Sequence, residues 1–224
     1  MEAINIHNYK SHQIEDREII QRIIGGEKEL YEILVRRNNQ KLYRVIRSYL
    51  KEEAEIEDIM QESYIKAYTK LYQFKQDAAF STWLIRIGIN ESLARIKEKG
   101  KLIHLHETSY DEKSNSILEI PDSKQLNPQS NMIRNEAKLL LESAIDSLDS
   151  KYRTVYMMKE VEDMSIKEIS IALDITIPNV KVRLHRAKEM LKEKLYEVAS
   201  DKEIFEFGNS RCDRITNNVM DKIN

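Results

Sequence analysis

Residues Met164–Leu195 read MSIKEISIALDITIPNVKVRLHRAKEMLKEKL, and this stretch decides the fold. Ser165 followed by Glu168 has the spacing of a capping box, in which each residue satisfies an exposed N–H of the other. Ile166, Ile169 and Leu173 then fall on one face of a short helix. Asp174-Ile175-Thr176 is a tight break. Thr176 suits an N-cap, and Pro178 falls in the first turn of the next helix, where a missing N–H costs nothing. Val180, Leu184, Ala187, Leu191 and Leu195 recur at helical spacing along that second helix. Two short helices joined by about three residues form a helix-turn-helix, whose second helix can lie in a DNA major groove. From Lys181 to Lys194 there are six Lys or Arg and two Glu, so the outer face is basic. The plain alternative is an αα-hairpin with a solvated basic face, but cap, break, core spacing and charge agree with one another.

The rest of the chain carries the same period. Its 224 residues include only five Gly and three Pro, and neither GxGxxG nor GxxxxGK occurs. Phosphate-binding turns of the dinucleotide and P-loop kinds are thereby excluded. Apolar residues recur at i, i+3 and i+4 rather than alternating. The expected fold class is all-α: two small helical domains joined by a flexible linker. A net charge of −2 excludes binding by bulk positive charge, so any nucleic-acid site is a local patch. The lone Cys212 excludes an internal disulfide and any Cys-rich metal site. The apolar run around Leu84–Ile89 is too short to span a bilayer, and the start MEAINIHNYK lacks an apolar signal-peptide core. A cytoplasmic protein without a membrane span is expected.

The chain divides as follows: a loose tail over 1–13, a helical domain over 14–101, a linker over 102–132, a second helical domain over 133–197 and an extension over 198–224. The segment from 103 to 135 has three basic and five acidic residues and includes Pro121 and Pro128. In the first domain, Ile19, Ile20, Ile23 and Ile24 make a stripe that Gly25-Gly26 ends. A helix over about 55–72 carries Ile56, Ile59, Met60, Tyr64, Ala67, Tyr68 and Leu71. The next, from Phe80 to about Lys99, is expected to turn Trp83, Leu84, Ile87 and Leu93 inward. Between Glu52 and Glu62 stand six acidic residues and no basic one. Complementing a helix dipole accounts for Glu53 to Asp58 but not for Glu62, a turn further on. Aromatic residues then crowd together: Tyr64, Tyr68, Tyr72, Phe74, Phe80 and Trp83. Read alone, most of them are core.

The stretch KYRTVYMMKEVEDMSIKEISIALDITIPNVKVRLHRAKEML resembles region 4 of bacterial sigma-70-family factors, above all the extracytoplasmic-function (ECF) group. EDIMQESYIKAY resembles region 2.2, and FSTWLIRIGINESLARIKEKGK resembles regions 2.3 and 2.4. The resemblance covers both domains in order, without a region-1.1-like domain or a region 3, as in the ECF group. It implies an RNA polymerase sigma factor that binds core RNA polymerase, directs it to promoters through −35 and −10 elements and assists melting in transcription initiation. By position, Lys181, Val182 and His185 would face −35 bases, while Arg183 and Arg186 would hold the backbone. Asp58, Gln61 and Glu62 match the positions that dock on the clamp of the largest polymerase subunit. The loop from Phe74 to Phe80, with Trp83, would form the pocket that captures melted non-template bases of the −10 element. Asn90 matches a base-contacting asparagine; an amide donates and accepts together and so suits base edges. Arg86, Arg95, Lys97, Lys99 and Lys101 would lie along phosphates. The chain departs from the family pattern at Asp163 and Asp174, where glycine is usual, at Asp149, where proline is common, at Val182, where serine is frequent, and at Ala94, where some members carry a polar residue. Asp adopts the left-handed conformation at tolerable cost.

Members of the group are commonly held by an anti-sigma factor, and the resemblance admits such a partner here. The competing reading is a helix-turn-helix regulator that binds duplex DNA without serving as a polymerase subunit. An enzyme is not expected: no Ser-His-Asp or HExxH pattern stands out, and no histidine follows a glutamate by three residues, as a di-iron bundle would require. No catalytic residue, metal site or cofactor is assigned. Cys212, between Arg211 and Arg214, reads as an ordinary free thiol, with a redox-sensing role as the alternative.

Overall fold

Helix α1 (Asp16–Ile24) forms where the isoleucine stripe begins, and it buries Ile19, Ile20 and Ile23. Ile24, expected on the same face, is exposed, because the chain turns away at Gly25 and at Gly26, whose φ is +113°. The computed structural model describes residues 14–105 and 128–199 and two short pieces, 214–215 and 219–220. The tail 1–13, most of the linker, Cys212 and most of the extension lie outside the described residues. Every regular element among the described residues is a helix. None of these helices is long and apolar enough to cross a membrane.

Helix α2 (Tyr31–Arg47) turns Ile33, Leu34, Leu42, Val45 and Ile46 inward. Helix α3 (Glu53–Thr69) starts with acidic residues in its first turn and buries Ile56, Ile59, Tyr64 and Ala67. Acidic side chains there favour the helix because its N-terminal N–H groups are unpaired and carry partial positive charge. Two phenols bolt α2 to α3: Tyr31 donates to the Tyr64 carbonyl at 2.8 Å, and Tyr64 donates to the Val35 carbonyl at 3.1 Å. Tyr68, expected in the core, is 41% exposed, although its ring still meets Tyr31 edge-on at 5.0 Å. A single 3₁₀ turn (Leu71–Gln73) follows. Helix α4 (Phe80–Leu105) then crosses α2 at Gly88. A Cβ at Gly88 would sit 2.8 Å from Leu42 Cδ1, so glycine permits the close approach.

Helix α5 (Pro128–Asp146) leads into α6 (Ser150–Tyr156). Pro128 is the first residue of α5, so the helices take in both ends of the segment read as linker. A π-helical turn (Met157–Val161) continues α6, with the Glu162 N–H bonding the Met157 carbonyl at 3.0 Å. Met158 is in the core, three residues after the buried Val155, and Met157 is only half-buried. Helices α7 (Ile166–Leu173) and α8 (Ile177–Ala199) complete the chain. Ala144 of α5 and Leu148 of the following turn pack on Ala187 and Leu191 of α8, while Leu139 and Leu140 stay exposed at the edge.

The two helical units share a core. Val45 of α2 and Ile85 and Ile89 of α4 pack with Val155, Met158, Met164, Ile169, Ala172 and Val180. The expectation for α4 was one inward face ending in Leu93. Leu93 is 49% exposed instead, because α4 spends its apolar residues on two partners. Leu84 faces α1–α3, and Ile85 and Ile89 face the second unit. A helix apolar around most of its circumference is covered on more than one side.

Candidate nucleic-acid interface

The helix-turn-helix is built by the local bonds its sequence dictates. Ser165 Oγ accepts from the Glu168 N–H at 3.2 Å, and Glu168 Oε2 accepts from the Ser165 N–H at 2.8 Å. Hydrogen bonding from Ser165 holds the Glu168 carboxyl below its ordinary range. Asp174 ends α7 in the left-handed conformation, φ +54° and ψ +45°. Ser170 Oγ donates to the Ile175 carbonyl at 2.5 Å and closes the turn. The Thr176 carbonyl accepts from the Val180 N–H at 3.0 Å, which starts α8.

Helix α8 buries Val180, Ala187 and Leu191 and half-buries Leu184. The opposite face carries Lys181, Val182, His185 and Arg186, all exposed, with Val182 at 50%. Four of the five candidate −35 residues thus share one surface. His185 Nε2 lies 3.3 Å from Glu189 Oε1. Arg186 reaches the Tyr152 hydroxyl at 3.4 Å, and that hydrogen bond draws the phenol below its ordinary pKa. Arg183 is half-buried and donates from Nε to Asn179 Oδ1 at 2.9 Å, so it stands at the flank. Asn179 itself, exposed in the first turn of α8, was not singled out from the sequence. Its signal is an amide beside the residues expected to face the groove.

In the first unit, Phe74, Phe80 and Trp83 form one aromatic cluster, with ring centroids 5.2 to 6.0 Å apart. Phe80 is buried and holds the loop to the core, while Phe74 and Trp83 are half-buried. Beside them opens a cleft of about 810 Å³, lined by Phe74, Gln76, Phe80 and Ser81 on the loop side and by Asn38 and Lys41 on α2. Gln76 has φ +62°, and its Oε1 is buried without a hydrogen-bond donor among the described residues. Nothing in the sequence marks Gln76; the orphaned acceptor exists only once the loop is folded. Asn90 is exposed on α4. Arg86, one turn earlier, lies 3.4 Å from Asp174 of the helix-turn-helix.

Asp58, Gln61 and Glu62 line the exposed face of α3. Ile65 continues that face one turn on and is 64% exposed, a large apolar residue in solvent. Two cations expected along phosphates turn toward this acidic helix: Arg95 reaches Glu62 at 3.4 Å, and Lys99 reaches Glu55 at 2.7 Å. Lys97 is exposed.

Residues 34–102 match the sigma-70 region 2 family, and residues 138–191 match sigma-70, region 4. Together the matches take in more than half of the chain, and the chain belongs to the sigma-70 family, in its ECF group. It is 27% identical to the RNA polymerase sigma-H factor of Pseudomonas aeruginosa, over 82% of this chain and 95% of that protein. It is also 27% identical to the ECF RNA polymerase sigma-E factor of Escherichia coli K12, over 83% of this chain and 96% of the relative. Two solved structures share the fold. CnrH, solved in complex with the cytosolic domain of CnrY, matches at 22% identity and a TM-score of 0.55, over 80% of this chain and 96% of that one. RpoE of Bartonella quintana, solved with the anti-sigma factor NepR, matches at 20% identity and a TM-score of 0.59, over 72% and 93%.

Proposed function

We propose that the chain is an ECF sigma factor that joins core RNA polymerase, reads −35 and −10 elements and helps to open the promoter, with no covalent chemistry of its own. The exposed basic face of α8, set behind the Ser165–Glu168 box and the Asp174 turn, carries this reading. Lys181, Val182 and His185 face −35 bases there, with Arg183 and Arg186 at the backbone. Phosphate contacts position such a helix and base contacts give it sequence preference. The cleft beside Phe74, Phe80 and Trp83 receives unstacked −10 bases, and the orphaned Gln76 Oε1 offers an acceptor to a base N–H. Aromatic surfaces recover part of the stacking lost on opening. Asn90 reads a base edge, and Arg86 and Lys97 follow phosphates. Arg95 sits nearer the docking helix and acts by ordering Glu62. Asp58, Gln61 and Glu62 meet the polymerase clamp, where opposite charge across the interface sets orientation and on-rate. The site of action is the cytoplasm, and a protein inhibitor of the anti-sigma kind is a fitting regulator.

The test is binding of the purified chain to core polymerase, followed by transcription from a genomic promoter library. Polymerase-dependent initiation at a discrete set of promoters supports the proposal. Tight binding to intact duplex without polymerase binding would overturn it in favour of a plain helix-turn-helix regulator.

A further inference from the structure

We infer that the C-terminal extension folds back as a short helix into a groove on the C-terminal half of α8. The inference does not depend on what the basic face of α8 binds. The groove holds about 500 Å³ and lies between the end of α6, the π turn and the last turns of α8. Tyr156, Leu191 and Leu195 line its floor; Leu191 is buried, while Tyr156 and Leu195 are only half-buried. Tyr196 stands beside them, 65% exposed. Charged side chains rim the apolar floor. Lys188 pairs with Glu160 at 2.8 Å. Lys192 Nζ stands 5.9 Å from the Tyr196 ring centroid and makes no ion pair among the described residues.

The segment that leaves α8 has the matching pattern. Leu195 lies one helical turn before Ala199, where α8 ends, so residues 200–224 set out from the mouth of the groove. Within them Ile215, Val219, Met220 and Ile223 recur at the spacing of one helix face. Residues 214–215 and 219–220 are helical, and Ile215, Val219 and Met220 are exposed there. An uncovered apolar stripe and an unfilled apolar groove thus belong to one chain, and the tether between them raises their effective concentration. Residues 200–214 reach up to about 50 Å when extended, against roughly 17 Å of α8 between Lys188 and Ala199, so the chain can double back. Running antiparallel to α8, the extension brings Asp213 toward Lys192 and Lys222 toward Glu160. Opposite charges then meet at both ends of the stripe, which fixes its direction in the groove.

The test keeps the full chain and its native Cys212, the residue before Asp213. Lys192→Cys puts a second thiol where the antiparallel pairing places that end of the extension. Oxidation is expected to join the two thiols within one chain, at a rate independent of protein concentration. Met220→Asp with Ile223→Asp leaves both thiols untouched and takes the stripe out of the groove, so it should slow the crosslink at least about fivefold by lowering the effective concentration. Tyr196→Ser, at an exposed position, should slow it as well. An equal rate in the stripe variant would show a tether that merely collides with α8 and would overturn the docking. A disulfide formed chiefly between chains, faster at higher concentration, would overturn it in favour of a second copy as the occupant. Hydrogen exchange is a second measure. Without Lys192→Cys, amides over 211–223 should exchange at least about tenfold more slowly than in the chain carrying Met220→Asp and Ile223→Asp. Equal exchange would overturn the docking.

Discussion

Asp163 and Asp174 both sit at positive φ, +52° and +54°, where an L-residue brings its Cβ against the following carbonyl. The two positions differ in what the side chain does. Asp174 spends its carboxylate on Arg86, whereas Asp163 is exposed at the bend between the π turn and α7. Asp163→Gly is therefore expected to raise stability by about 0.5–1 kcal/mol, because relief of the left-handed strain outweighs the extra freedom of the unfolded chain. A rise of roughly 1–4 °C in the thermal midpoint would be the readout; a fall would show that the Asp side chain stabilises the bend. The left-handed turn at Asp174 was legible through the family resemblance, which places glycine there, because Asp tolerates that conformation at modest cost. The orphaned acceptor of Gln76 was not, because its burial depends on where α2 lies.

On the proposed function helices α3 and α8 divide the work at the next scale, and paired substitutions would separate their roles. Lys181→Ala with Arg186→Ala should reduce −35-dependent initiation by at least about tenfold, given roughly 1–3 kcal/mol for a good base contact, and should flatten its salt dependence. Polymerase binding should persist. Asp58→Lys with Glu62→Lys should do the reverse, weakening holoenzyme assembly while the helix-turn-helix stays folded. Loss of polymerase binding in the first variant, or normal assembly in the second, would refute this division. The contact between α2 and α3 gives a pH signature. Burial, and then the hydrogen bond to Glu53 at 2.8 Å, push the Tyr43 phenol up to about 12. Its folded pKa is above the unfolded value near 10, so the folded state holds the proton more tightly. Stability from this group is complete below about pH 10 and is lost as pH rises toward 12. Tyr43→Phe should flatten the alkaline limb of a denaturation curve measured across that window, and an unchanged slope would remove Tyr43 as its cause.

In the whole molecule, the shared seam joins the stabilities of the two units. Ile85 is fully buried between them, and Ile85→Ala should cost about 2–4 kcal/mol, as large-to-small core changes do. The lone Trp83 reports on the first unit, while far-ultraviolet dichroism reports on every helix. Coincident denaturant transitions from the two probes are expected for the unsubstituted chain. Trp83 fluorescence changing in a transition separate from the dichroism would show that the seam does not couple them.

Whatever depends on neighbours a few residues away was readable from the sequence alone. The helical period, the Ser165–Glu168 box, the break at Asp174 and the placing of acid on α3 and base on α8 all follow from 3.6-residue spacing and local hydrogen bonding. Tertiary structure alone decided which apolar faces meet. A sequence shows that Ile85 and Ile89 are apolar but not that residues about 70 to 90 positions further on cover them. The same holds for Arg95 and Lys99, which turn from the expected DNA path to the acids of α3. The hydrophobic effect is non-directional and a flexible cation pairs with whichever carboxylate lies within reach, so each takes the partner the fold brings to it, and periodicity cannot name that partner.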